Sequence, residues 1–152
     1  MEFGIIKRVR VCGRKRFIYR HVSPLVRIFY YADERYNISE RTPSEKEMEK
    51  LVENAMPRVV EDEVRGLLAR RLGLEESVAE GEDFDVDGCL LRFRKPEVVL
   101  EMKWGDELGK GEIKKAVEKL NKLKAKRRIL FVPDKRKVTA EDVEVVDILD
   151  FV

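Results

Sequence analysis

The chain has 152 residues, enough to bury about two-thirds of its unfolded surface around one core. Lys and Arg number 32 against 30 Asp and Glu, so the formal net charge of +2 excludes a general polycation and leaves only local basic surfaces. Charged residues make up 41% of the chain, glutamine is absent, and asparagine occurs only at Asn37, Asn54 and Asn121; this usage is typical of hyperthermophile proteins, where charge networks replace thermolabile amides.

The opening MEFGIIKRVRV lacks the apolar core and small-residue cleavage site of a secretion signal, and no apolar stretch reaches the ~18 residues of a membrane span. A soluble, cytoplasmic protein with no membrane partner is expected. Apolar and basic residues alternate on both sides of Gly13 in IIKRVRVCGRKRFIYRHV, the pattern of a β-hairpin turning near CGRK. Its polar positions, among them Arg8, Arg10, Arg14, Lys15, Arg16 and Arg20, form a basic surface able to contact the phosphates of DNA; the competing reading is an edge hairpin whose charges block aggregation. Ser23-Pro24 predicts the start of a helix with an apolar stripe through Leu25, Ile28, Phe29, Ala32 and Tyr36. The aromatic residues there read as core or as a homodimer contact, and the single histidine, His21, reads as structural.

Residues 37–44 form a linker, and the break divides the chain into a basic hairpin-plus-helix unit, 1–40, and an α/β domain, 41–152. From a cap at Ser44 the pattern is helical to Leu72, where Gly73 stops it, with Pro57 either kinking one helix or starting a second. Residues 76–94 and 97–104 read as strands turning around Lys95-Pro96. A helix is predicted over about 111–124, then a buried strand in RRILFVPD, a cap at Thr139 and a last strand in the β-branched tail. Cys12 and Cys89 match no metal spacing and read as core residues of a reduced protein.

The chemistry concentrates at PEVVLEMKW. Side chains alternate along a strand, so Glu101 and Lys103 share one face and Leu100, Met102 and Trp104 the other, with Trp104 expected to pack behind the charged pair. In DFDVDG the aspartates again share a face; Asp85 precedes Glu101 by 16 residues and Asp87 by 14, so neighbouring strands can bring either to Glu101. On the preceding helix Glu61 lies roughly 55° from the centre of the apolar stripe Val60, Val64, Leu67, Leu68 and Leu72, and Glu63 roughly 105° away, so Glu61 is the acid turned toward the sheet. Carboxylates converging beside a lysine make a hard-oxygen site suited to Mg²⁺ or Mn²⁺ and to phosphodiester hydrolysis. The competing reading is a solvated strand face carrying an ion pair.

An aspartate 14 to 16 residues before Glu-x-Lys, an acid on the helix before it and the order α-β-β-β-α-β resemble the PD-(D/E)XK nuclease superfamily over roughly residues 45–133. The resemblance implies a restriction-endonuclease-like core, a mixed central sheet flanked by helices, and an Mg²⁺- or Mn²⁺-dependent endonuclease acting on DNA. Asp85, in the frame FDV that resembles the family's, is the favoured metal-holding aspartate and Asp87, at the shorter spacing, the alternative; either would act with Glu101 and the Met102 carbonyl, Glu61 would be the helix acid with Glu63 as runner-up, and Lys103 would assist the attacking water. A narrower resemblance, carried by YRHVSPLVRIFYYADERYN, PRVVEDEVRGLLARRLG, DFDVDG and VVLEMKWG, is to the C-terminal domain of unknown function of archaeal AAA/STAND-type ATPases, with the basic hairpin matching a winged-helix wing. It implies an ATPase or another protein as partner, and it admits a catalytically silent DNA- or protein-binding module. The ATPase itself has no counterpart here: GDELGKGE places three residues, not four, between Gly105 and Gly109-Lys110, with no Ser or Thr after the lysine.

Overall fold

A computed structural model of the chain describes residues 4–79, 86–105 and 108–151. The alternating opening forms β1 (Ile6–Val11) and β2 (Phe17–His21), an antiparallel hairpin in which Gly13 takes a positive φ of 71° in the turn. Pro24 begins α1 (Pro24–Tyr36), which ends where Asn37 turns left-handed. Ser23 precedes it in an extended conformation but makes no side-chain cap. Only Ala32 of the predicted stripe is fully buried; Leu25 and Phe29 are exposed, because α1 covers the margin of the sheet instead of its centre.

Helix α2 (Glu45–Leu72) is held at its start by a reciprocal pair: the Ser44 hydroxyl accepts from the Glu47 N–H, and the Glu47 carboxylate accepts from the Ser44 N–H at 2.8 Å. Gly73, with φ 63°, closes it. Pro57 lies inside this one helix, so no second helix starts there. The chain continues as β3 (Glu75–Val78), β4 (Gly88–Arg92), β5 (Lys95–Met102), α3 (Lys110–Lys122), β6 (Arg127–Phe131) and β7 (Glu144–Val146).

The described residues form an α/β fold: a 7-stranded mixed sheet in the order β2-β1-β3-β4-β5-β6-β7, with three α-helices. Strand β1 pairs in parallel with β3, so the basic hairpin extends the sheet that carries β4 and β5. Strands β1, β3, β5, β6 and β7 run one way, β2 and β4 the other. The second half of β5 is buried on both faces, and there Val98, Val99 and Leu100 form an unbroken apolar run before Glu101. Val98, Leu100 and Met102 pack with Val64 and Leu68 of α2, whereas Val99 joins Cys12, Cys89, Ile113, Ala116 and Leu120 on the α3 side. Glu101 follows Val99 on the α3 side. Both cysteines are core residues, as expected, with free thiols whose Sγ atoms touch at 2.8 Å. No helix among the described residues is long and apolar enough to cross a membrane.

Three local expectations fail for identifiable reasons. The β4–β5 turn is not at Lys95-Pro96 but at Phe93-Arg94, both left-handed, and Pro96 sits inside β5 opposite Leu91, next to the register shift at Leu90/Leu91. Trp104 does not pack behind Glu101 and Lys103; it stands beyond the end of β5, 54% exposed. Thr139 caps no helix, since residues 138–140 are irregular.

The turn carries a stability prediction. Phe93 and Arg94 hold φ of 50° and 66° without being glycine, and the Phe93 ring is 92% exposed, so it contributes little packing. Replacing the pair by Asn-Gly (Phe93→Asn with Arg94→Gly) suits the left-handed turn and is expected to raise stability by about 1 kcal/mol, seen as a higher urea midpoint at unchanged slope.

Candidate active site and its cleft

Glu101 is the next-to-last residue of β5 and is only 1% exposed. The backbone just after it is fixed by the Lys103 N–H, which donates to the Phe131 carbonyl at 2.9 Å. One carboxylate oxygen, Oε1, accepts from the Lys103 Nζ at 3.2 Å and from the Lys119 Nζ of α3 at 3.5 Å. The other, Oε2, is buried and has no hydrogen-bond partner among the described residues.

Asp87 lies just before β4, beside the end of β5, and its Oδ2 accepts from the Met102 N–H at 2.7 Å. Burial first, then the Asp87 charge, pushes the Glu101 carboxyl above its ordinary pKa; Lys103 and Lys119 oppose that shift without cancelling it. The Glu61 carboxyl, half-buried on α2, is raised by the same two causes, with Asp62 adding to them. Asp87 is thus the common electrostatic neighbour of Glu61 and Glu101. Glu63, one residue pair further round the helix, is exposed and bonds to the Arg27 Nη2 at 2.7 Å. Asp85 lies outside the described residues. Among those described, no three or more Asp, Glu, His or Cys side chains are grouped closely enough to hold a metal ion by themselves.

From Glu61 and Asp87 a cleft of about 650 Å³ opens between α2 and the β2–α1 segment, with Val78 and Ala79 at the end of β3 on its floor. The walls of the cleft are joined by Asp62, which is bonded by Arg20 of β2, Arg27 of α1 and Arg65 of α2. Burial alone would raise the Asp62 pKa, but Arg65, Arg20 and Arg27 together outweigh it and hold the carboxyl below its ordinary value. Arg65 also donates to Glu76 Oε1 at 3.2 Å and to the Asp87 carbonyl at 3.1 Å. It passes over Gly88, where an added Cβ would come within 3.0 Å of the Arg65 Cδ; only a glycine leaves this path open without displacement.

Of the hairpin cations, Arg20 alone lines the cleft. Arg8 and Arg10 lie over the Phe17 ring, their guanidinium carbons 4.3 and 4.6 Å from its centroid, and Arg10 also pairs with Glu75 at 2.7 Å. Arg14, Lys15 and Arg16 are exposed at the turn. Sequence reasoning passed over Asp62, Arg65 and Arg58, although Asp62 and Arg65 stand at the i,i+3 spacing of a helical ion pair. It also gave Lys119 no role at Glu101, though Lys119 is the neighbour in sequence of the buried Leu120 and so lies at the edge of the α3 core face.

Two outcomes follow. Truncating Asp62 to Ala removes the acid shared by three guanidinium groups, leaving Arg27 only Glu63 and the nearly buried Arg65 only Glu76 as acidic partners among the described residues, and is expected to cost about 3–5 kcal/mol in urea unfolding, whereas Glu63→Ala should cost under about 1 kcal/mol. For Glu101 the folded-state pKa is raised, so wild-type stability falls as pH climbs from the ordinary glutamate value of about 4.3 through that raised pKa. Glu101→Gln should therefore be the more stable protein at neutral pH and should match wild type in acid; equal stability at both would contradict the charge balance described.

Compared with protein-family models, with curated proteins and with solved structures, the chain matches none.

Proposed function

We propose that this α/β fold is restriction-endonuclease-like and that the chain is a metal-dependent nuclease domain that binds DNA and hydrolyses its phosphodiester bonds. The element order α2-β3-β4-β5-α3-β6 supports the reading, since it is the order the sequence resemblance implies. The observation that carries it is the Glu101 carboxylate. A buried carboxylate oxygen without a donor, beside the charge of Asp87, is costly for a fold to retain, and a divalent cation is the simplest group that would satisfy it.

The donor set fits Mg²⁺ or Mn²⁺. Such ions keep several waters and commonly take only one or two protein carboxylates, so Asp87 and Glu101 suffice without a third, and neither site offers the soft ligands that favour other metals. When bound, the ion would neutralise phosphate charge and acidify water. Asp87, fixed by the Met102 N–H, and Glu101, whose carboxyl feels the Asp87 charge, would hold the ion between them. The Lys103 ammonium, attached to Glu101 Oε1, sits where it can orient the attacking water or offset charge growing on a phosphate oxygen. Glu61, whose pKa is raised by burial and by the Asp87 charge, keeps its proton to higher pH than an ordinary glutamate and could serve as a proton donor.

One observation favours a second reading, a catalytically silent DNA- or protein-binding module such as an ATPase-associated domain would be. Glu101 Oε1 contacts both Lys103 and Lys119, so part of its charge is balanced within the chain.

Incubation of supercoiled plasmid with the protein in Mg²⁺ or Mn²⁺ at elevated temperature separates the two. Cleavage by wild type is expected, reduced about 100-fold or more in Lys103→Ala at unchanged folding. Equal cleavage by that variant would refute the assigned role. Calorimetry should detect Mn²⁺ binding that disappears in Asp87→Asn with Glu101→Gln; folded protein that neither binds Mn²⁺ nor cuts would belong to the silent class.

A further inference from the structure

The cleft beside Glu61 and Asp87 has a chemical character of its own. Tyr19, His21, Tyr30 and Tyr31 line the wall opposite α2. Tyr19 is 69% and Tyr30 57% exposed, unlike the core role their helical and strand spacing suggested. The Tyr30 ring is not loose: it stacks on His21 with centroids 5.2 Å apart and planes 22° from parallel, and Phe29 meets it edge-on at 5.7 Å. A ring so backed on one side offers a prepared flat surface on the other.

Cation supply in the cleft is equally uneven. Arg20, Arg27 and Arg65 are committed to Asp62, and Arg65 also to Glu76. Arg58 differs: it is exposed, lines the cleft, stands three residues before Glu61 on the same helix side, and forms no ion pair among the described residues beyond a through-space effect on Glu61. An aromatic platform, a guanidinium uncommitted among the described residues and two acids therefore share a single groove.

From this juxtaposition of the Tyr30 platform, Arg58 and the Glu61–Asp87 end we infer that the cleft binds an unpaired DNA strand, one base stacking on Tyr30, a phosphate meeting Arg58 and the next phosphodiester lying at the acids. The last element rests on the nuclease reading; the binding itself does not. The groove, at about 650 Å³, is of small-ligand size and accepts one or two nucleotides. A base within a duplex has its faces covered by neighbouring pairs and cannot reach the ring, so the platform selects single-stranded or frayed DNA over blunt duplex. With one cation unpaired among the described lining residues, the contact is carried more by stacking than by charge. Its salt dependence is correspondingly shallow, about 0.7 in slope for each phosphate neutralised.

The test is fluorescence anisotropy with a labelled 15-nucleotide thymidylate strand, competed by the unlabelled strand or by a blunt duplex of equal length. Wild type is measured in EDTA, and Lys103→Ala in Mg²⁺ to prevent cutting. Expected are at least tenfold weaker competition by the duplex, a loss of about 5- to 100-fold in Tyr30→Ala, near-wild-type binding in Tyr30→Phe, and a salt slope lower by about 0.7 in Arg58→Ala. Duplex competing as well as the single strand, Tyr30→Ala binding like wild type with Arg58→Ala, or no binding in either condition would overturn the inference. Plasmid cleavage alongside any of those results would leave the nuclease reading standing. Conversely, Tyr30-dependent strand binding by a protein that never cuts would retain the inference and remove the nuclease reading.

Discussion

The Asp62 carboxylate, buried among three guanidinium groups, is the fastening on which the arrangement of this molecule depends. It sits on α2, yet its partners come from β2, α1 and α2, so one acidic side chain joins three successive parts of the chain. Through Arg65 the same network continues to Glu76 on β3 and to the backbone of Asp87. Desolvation of so many charges leaves little net stability, and a well-packed apolar cluster of equal volume would serve a core as well. What the charges provide is direction: guanidinium forks bond carboxylates at defined angles, so the hairpin and α1 meet α2 in one orientation and leave the cleft between them.

The contrast with Glu101 is informative because it arises within one chain and one kind of environment. Both carboxylates are buried and burial raises the pKa of both, but at Asp62 the cations win and at Glu101 they do not. A structural ion cluster is expected to balance its charge internally. A site awaiting a positively charged or phosphate-bearing visitor is expected to leave part of it open. Gly88 links the two, since its missing side chain lets Arg65 of the balanced cluster reach the backbone of the unbalanced one.

Local chemistry made much of the fold legible. The Ser44–Glu47 box, the stops at Asn37 and Gly73, the turn at Gly13 and the apolar periodicities of α2 and α3 are all short-range signals, and the elements they announce are present. The apolar-charged alternation around Glu101 likewise placed Glu101 on the opposite side of β5 from Leu100 and Met102, and the helical angle singled out Glu61 over Glu63. What stayed hidden depends on long-range geometry. Nothing in residues 6–11 announces parallel pairing with β3, 67 positions on between Arg10 and Ser77. The turn at Phe93-Arg94 lacks the glycine or asparagine that marks left-handed turns, and a proline drew the eye instead. Tyr30 and Phe29 had a core-like spacing, but α1 flanks a margin where half of each ring meets solvent. Asp62 looked like one more surface acid, since in a chain this charged only the fold shows which acid is surrounded.

The exposed position of Trp104 has a practical side. It is the chain's single tryptophan and follows Lys103 directly, so emission excited selectively at the indole, beyond the absorption of the four tyrosines, originates just past the end of the strand that carries Glu101. Indole emission responds to the polarity and quenching groups around the ring. Filling or emptying the space near Glu101 will therefore register as a change in colour or brightness without any attached label. Rearrangements confined to the far edge of the sheet, at β2, will pass unseen by the same probe.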